Sequence, residues 1–262
     1  MKSLFWLLLN RLNQLCLWIS RRRFKLVHVN FIPSSHIDVW RLLKQNGFNP
    51  NTIVDIGADR GHWTQEMLTI FPKSEFILIE PLHENKSDLE ALAQRYKNVK
   101  FWLGALGRTS GTLEFHVHGQ QSSMFDSQWG GKVRTVPLEK LDTLVFDHFK
   151  CHQIDVLKLD VQGAELEILS AASKVLAMCK VIQIEVSFRH FYVNAPLAHE
   201  IVAFFAAHGF RIFDIAGLWK RKDGALLQAD MFFVNDDGLF APETFTILPS
   251  PPNGGFSRKT NG

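Results

Sequence analysis

Cysteine is scarce in this chain. Cys16, Cys151 and Cys179 are the three among 262 residues, and none has His at a metal-ligand interval. A disulfide-stapled scaffold and a Cys/His zinc site are therefore excluded, no metal is expected, and a reducing, cytoplasmic setting is the default. Charge of one sign is also missing: 29 Lys plus Arg stand against 26 Asp plus Glu, a net +3 with His neutral. A dedicated nucleic-acid binder would show a basic face, so nucleic acid is not an expected partner. No stretch approaches the roughly 18–20 consecutive apolar residues of a membrane span. No period of about 20–50 residues repeats, which removes solenoids and propellers. What remains is an ordinary globular composition, 46% hydrophobic and 21% charged, in a length suited to one large domain or two small ones.

The first residues form a unit of their own. The apolar run Leu4 to Leu9 stops at Asn10 and Arg11, and Trp18, Ile19 and Arg21 to Arg23 stand where a secretory leader needs small residues. Leu4, Leu8, Leu12, Leu15 and Ile19 recur at three- and four-residue spacing, which predicts an amphipathic helix and basic linker over 1–30. Two readings stay open for residues 1–25. One is a peripheral contact with an anionic membrane surface; the other is packing on the domain or against a second subunit.

From Thr52 onward short apolar runs alternate with amphipathic stretches. Strands are expected at 52–57, 75–80, 99–106, 112–117, 155–161, 181–186, 211–216 and 230–235, and helices at 62–71, 85–96, 164–177 and 196–208. Strands that are nearly continuous in hydrophobicity and alternate with helices describe an α/β domain, a mostly parallel sheet with helices on both faces. The domain is placed at 31–248, and the Pro/Gly/Ser-rich tail 249–262 is expected to be disordered. Loops 118–134, 187–196 and 217–229 are where substrate specificity is expected to reside.

Ligands of such sheets sit beyond the carboxyl ends of the strands. The first strand ends in DIGADRG, so Asp55, Gly57, Ala58, Asp59 and Gly61 fall at that edge, and Glu80 ends the second strand 23 residues after Gly57. Two glycines before a helix permit a tight turn and close backbone approach, and a carboxylate at that separation suits a ribose. Where a dinucleotide site wants a second glycine, this chain has Asp59, which repels a pyrophosphate. The acidic turn favours a cationic, phosphate-free nucleoside cofactor, S-adenosylmethionine, over a nicotinamide carrier.

The segments VDIGADRGHWT, FILIEP, LGALG and KLDVQGAELEIL resemble the FkbM-type S-adenosylmethionine-dependent methyltransferases over about 52–235. Asp59 stands where that pattern usually has Asn, Ile79 where it has Phe, and Gln162 where it has Glu. The resemblance implies a Rossmann-like class I methyltransferase sheet. It also implies a cofactor site of Asp55, Gly57, Ala58, Asp59, Gly61, Glu80, Pro81 with Leu82, Ala105, Leu106, Ser123 beside Ser122, and Asp160. The acceptor it implies is a hydroxyl of a sugar, a glycan or a small secondary metabolite.

Methyl transfer to a hydroxyl needs alignment and removal of a proton. Asp160 and Glu185 end their strands at the same edge, and His190 follows in SFRHFY, so these three are the catalytic candidates. Burial near Asp160 would raise the Glu185 pKa toward that of a useful base, and the His190 imidazole offers a second proton acceptor. Positioning or packing is the alternative for each, and an N-cap for Asp160. His116 and His118 fall at the end of the strand expected at 112–117 and just beyond it, read as a hairpin added to the sheet, and Lys158 is expected to pair with one of the acids. Trp129, Phe188, Tyr192 and Trp219 offer aromatic faces for sugar stacking or for core packing. Two other functions compete: a non-catalytic module that keeps the fold and binds a partner or glycan, and a nicotinamide-dependent sugar enzyme.

Overall fold

The computed structural model describes residues 35–117, 132–192 and 194–235. The segments 1–34, 118–131 and 236–262 lie outside them, and with them the amphipathic helix, His118, Ser122, Ser123, Trp129 and the tail.

The chain enters through helix α1 (His36–Gln45), capped by the Ser35 hydroxyl on the Asp38 N–H. It then alternates: β1 (Thr52–Ile56), α2 (His62–Ile70), β2 (Glu75–Glu80), α3 (Lys86–Arg95) and β3 (Val99–Leu103). After an excursion described below come β7 (Val156–Leu159), α4 (Glu165–Leu169), α5 (Ser173–Met178), β8 (Val181–Ser187) and α6 (Ala198–Ala207). The hairpin β9 (Phe210–Lys220) and β10 (Leu226–Asn235) closes the series. One sheet of seven strands results, ordered β3-β2-β1-β7-β8-β10-β9. The five central and early strands run parallel, and β10 is antiparallel to both neighbours. Strand order reverses between β1 and β7, which makes their carboxyl ends the switch point.

Successive residues of each inner strand feed opposite layers. Val54 and Leu157 join one apolar cluster with α4, α5 and α6, while Ile53 and Val156 join the other with α1, α2 and α3. Burial on both faces is why these strands read as unbroken apolar runs. The second cluster centres on Trp40, fully buried with edge-on contacts to Trp63, Phe71 and Phe232. Both indole N–H groups donate to Gln183 Oε1, at 2.7 Å and 3.0 Å.

Four sequence expectations are corrected. The run 99–106 is not one strand, because Gly104 divides it: a Cβ there would stand 2.4 Å from the Trp102 ring and 2.8 Å from the Pro137 carbonyl. Beyond that break β4 (Ala105–Leu106) joins β5 (Gly111–Val117) and β6 (Lys132–Glu139) in a separate sheet ordered β4-β6-β5. The strand β6 was not foreseen, since its first residues fell in a stretch read as loop. The helix expected at 164–177 is two, and Asp142 caps the second by accepting the Lys174 and Val175 N–H groups at 3.0 Å and 3.1 Å. The span 217–229 is no loop but the end of β9, a tight turn and the start of β10, with the Gly224 N–H donating to the Arg221 carbonyl at 2.9 Å. Among the described residues no helix is long and apolar enough to cross a membrane.

Candidate active site

A cavity of about 360 Å³ opens at the switch point. Its walls come from the ends of β1, β2, β7 and β8, the β4 segment, β5, α4 and β10. Gly57, Asp59, Glu80, Pro81, Leu82, Ala105, Leu106, Asp160 and Glu185 all line it, so nine residues named from sequence meet in one space. The lining holds four carboxylates, Asp59, Glu80, Asp160 and Glu185, and no Lys, Arg or His among the described residues.

Glu80 is 4% exposed. Its two oxygens each accept a backbone N–H at 2.8 Å, Oε1 from Leu82 and Oε2 from Asp59. Burial pushes its pKa up to about 7 against the lowering effect of those two donors. The donors fix the carboxyl by one lone pair per oxygen and leave acceptor capacity on both. Asp59 is held in turn by Asn85, whose amide donates to Oδ1 at 3.0 Å. Its φ of 49° lies in the left-handed region, where Asn and Asp are the tolerated non-glycine residues.

Ile79, Pro81, Leu82, Ala105, Leu106, Phe115 and Ile168 supply apolar walls. An apolar wall ringed by four carboxylates suits a nucleoside carrying positive charge and disfavours a pyrophosphate. S-adenosylmethionine, with its sulfonium and ammonium, meets that description.

Lys158 is the buried counterion behind the cavity. Its Nζ donates to the Gly57 carbonyl at 2.8 Å and stands 3.2 Å from Asp55 Oδ1 and 3.6 Å from Asp160 Oδ2. Burial opposes its charge, but Asp55 and then Asp160 overcome that and hold its pKa above the ordinary value. The ammonium thereby ties the first turn to the end of β7.

Where β7 and β8 end, Gln162 Nε2 lies 3.0 Å from Asp160 Oδ1 and 3.0 Å from Glu185 Oε2. Gln228 Nε2 reaches the same Glu185 oxygen at 2.8 Å, and the Tyr192 hydroxyl donates to Gln162 Oε1 at 3.2 Å. Burial, followed by the nearby Asp160 and Asp230, pushes Glu185 up to about 8. Fully buried Glu165 rises to about 7 for lack of solvation, opposed by the Gly163 N–H at 3.0 Å.

Several candidates fall elsewhere. Asp55 is fully buried and does not line the cavity; its Oδ2 takes the Thr64 hydroxyl at 2.7 Å. Ala58 is core. Gly61 caps α2 outside the lining, and a Cβ there would press on Leu92 Cδ2 at 2.8 Å, so packing explains it. Gly57 lines the cavity, yet its missing Cβ makes room for the Asp160 carbonyl, 1.9 Å from where that Cβ would be. His190 is exposed and outside the lining, although Tyr192 two residues on reaches Gln162. Asp160 is no N-cap: α4 begins after Ala164 with no side-chain cap. Lys158 does pair with an expected acid, Asp160, and with Asp55 besides. Sequence reasoning missed Gly104, Phe115, Ile168 and Gln228 in the lining, and Asn85 behind it. Only Gly104 carried a local signal, as a glycine inside an apolar run.

The model of the methyltransferase FkbM domain matches residues 55–212. No curated protein matches the chain. Among solved structures, fibrillarin of Aeropyrum pernix with natively bound S-adenosyl-L-methionine is 13% identical, with 75% of this chain and 73% of that one covered at a TM-score of 0.45. Magnesium protoporphyrin IX methyltransferase from Synechocystis PCC 6803, also with its methyl donor bound, is 12% identical over 76% and 77% at 0.44. A Burkholderia thailandensis 1,6-didemethyltoxoflavin-N1-methyltransferase is 14% identical over 77% and 78% at 0.43.

Proposed function

We propose that this chain, which belongs to the FkbM methyltransferase family, transfers the methyl group of S-adenosylmethionine to a hydroxyl of a sugar, a glycan or a small secondary metabolite. The sheet is the Rossmann-like class I methyltransferase sheet, and S-adenosylmethionine is the cofactor of its chemistry. The finer reading rests on one observation. Glu185, at the end of the cavity away from Glu80, is a carboxyl held by two amides with its pKa near 8, in range to take a proton from a hydroxyl.

The cofactor, when bound, supplies an electrophilic methyl group on a sulfonium. In this reading Glu80 accepts the ribose hydroxyls, and the apolar walls from Pro81, Ala105, Leu106 and Phe115 hold the adenine. Asp160, braced by Lys158, faces the positive end. Glu185 takes the acceptor proton as the acceptor oxygen bonds to the methyl carbon, leaving the carbon–sulfur electron pair on sulfur. Alignment supplies most of the acceleration. The acidic lining argues against the nicotinamide alternative, and the intact Glu80 cradle against a module that has lost its cofactor. A peripheral role for residues 1–25, on a membrane surface or a second subunit, belongs to the same reading; they lie outside the described residues.

Calorimetric titration with S-adenosylmethionine, with NAD and on Glu80→Ala tests the cofactor side. Transfer of labelled methyl groups to glycans, by wild type and Glu185→Gln, tests the acceptor side. Micromolar binding lost in Glu80→Ala, with transfer lost in Glu185→Gln, is expected. A folded protein that binds no S-adenosylmethionine would sink the reading.

A further inference from the structure

The methyl-transfer reading makes no use of an aromatic pair that lies outside the cavity lining but adjoins residues that form or contact it. Trp219 on β9 is 49% exposed, although burial is what an indole gains most from. Its ring stacks on Phe191, with centroids 5.8 Å apart and planes 17° from parallel. Phe191 belongs to the segment that leaves the carboxyl end of β8, where Glu185 sits. Trp219 is also the cross-strand partner of Gln228. Directly opposed residues of an antiparallel pair project from one face, about 5 Å apart. Trp219 is thus the neighbour across the strand of Gln228, whose amide lines the cavity and donates to Glu185.

The hairpin is irregular at this pair and again between Phe232 and Phe233. Register runs Lys220 with Leu226, Trp219 with Gln228, and Ala216 with Asp230, so a shift flanks the Trp219–Gln228 pair on either side. Bulges of this kind re-aim side chains and concentrate next to active sites. Gly217 lies in the second shift with φ +60°, and a Cβ there would meet Asp230 Oδ2 at 2.4 Å. The strand bends next to a half-buried acid, two residues before Trp219.

We infer that the Trp219–Phe191 pair is the platform for the methyl acceptor, and that the acceptor is an uncharged hexopyranoside. The ring's C–H face packs on the exposed indole while its hydroxyls reach Gln228 and Glu185. This inference rests on the methyl-transfer reading. An anionic sugar is disfavoured because four carboxylates line the cavity and no cationic side chain among the described residues does. A wholly apolar metabolite is disfavoured because it would strip the Gln162, Gln228 and Glu185 groups of water without replacing the hydrogen bonds.

The test uses the full chain saturated with S-adenosylhomocysteine and probed by saturation-transfer NMR. The probes are the methyl glycosides of glucose, galactose and mannose, with methyl glucuronide as the anionic comparison. Transfer to at least one neutral glycoside, stronger than to the glucuronide, is expected. Its dissociation constant should rise about tenfold in Trp219→Ala and stay near wild type in Trp219→Phe, with S-adenosylhomocysteine affinity the same in all three proteins. Unchanged sugar affinity in Trp219→Ala, a preference for the glucuronide, or no transfer to any neutral glycoside overturns the platform and leaves methyl transfer standing. A protein that does not bind S-adenosylhomocysteine overturns both.

Discussion

The Gln162 amide holds the Glu185 carboxyl, Nε2 to Oε2 at 3.0 Å. Because the same nitrogen reaches Asp160 at 3.0 Å, one neutral side chain bridges two acids. The FkbM-type pattern usually has a glutamate at this position, and a glutamate here would remove the bridging amide and add a third carboxylate beside Asp160 and Glu185.

Gln162→Glu is accordingly expected to raise the proton affinity of Glu185 further. Like charge disfavours ionisation, so the rising limb of the pH–rate profile should move upward by about one pH unit. Stability at pH 8 should fall by about 1–3 kcal/mol from the lost bridge. A limb that stays in place would show that Gln162 does not govern Glu185.

Glu185→Gln should reduce methyl transfer by about a hundredfold or more, the usual contribution of a positioned base, and flatten the rising limb near pH 8. Its effect on stability has a sign set by linkage. The folded pKa of about 8 lies above the ordinary 4.5, so the folded state binds the proton more tightly. The carboxyl therefore costs stability as pH rises from about 4.5, fully so above 8. The variant should melt above wild type at pH 9 and level with it at pH 4, measured by calorimetric scans across that range.

Glu80 gives a pH dependence of binding rather than of rate. With its pKa near 7, the carboxylate that ribose hydroxyls need as acceptor is present at pH 8 and mostly protonated at pH 6. S-adenosylmethionine affinity should fall by about fivefold from pH 7 to pH 6, and by about tenfold for each unit below that. In Glu80→Gln the affinity should be weaker throughout and flat with pH. A wild-type dissociation constant that is constant from pH 5.5 to 8.5 would contradict the assignment.

How much of this was written in the sequence depends on whether the signal was local. The strand ends expected at 57, 80, 161 and 186 stand at Ile56, Glu80, Leu159 and Ser187, within two residues, because burial on both sheet faces leaves apolar runs. Asp59, Glu80, Asp160 and Glu185 were found by searching those ends. Gln228 was not, since its place depends on β10 pairing with β8 across a long separation, and no local pattern announces a register. The glycines carry a second requirement that the sequence does not show. Gly57 lines the cavity, and the place of its missing Cβ is also taken by the Asp160 carbonyl, as that of Gly61 is by the Leu92 side chain. A glycine required by a chain neighbour reads the same in sequence as one required by a ligand.

That difference is testable by comparing two glycines with similar backbones. Gly57 has φ +75° and Gly47 has φ +92°, so alanine strains both by about 1–2 kcal/mol. At Gly47 nothing lies within 4 Å of the added Cβ, and Gly47→Ala should lose only that strain. At Gly57 the Cβ would stand 1.9 Å from the Asp160 carbonyl oxygen and 2.9 Å from its carbon. Neither is a flexible side-chain end, so β1 and β7 must part. Gly57→Ala is expected to cost about 4 kcal/mol or more in urea unfolding. What survives folded should bind S-adenosylmethionine poorly, because Asp160 moves with its carbonyl. Equal unfolding midpoints for the two variants would mean that the β1–β7 junction is looser than its geometry, and that Gly57 is kept for the ligand after all.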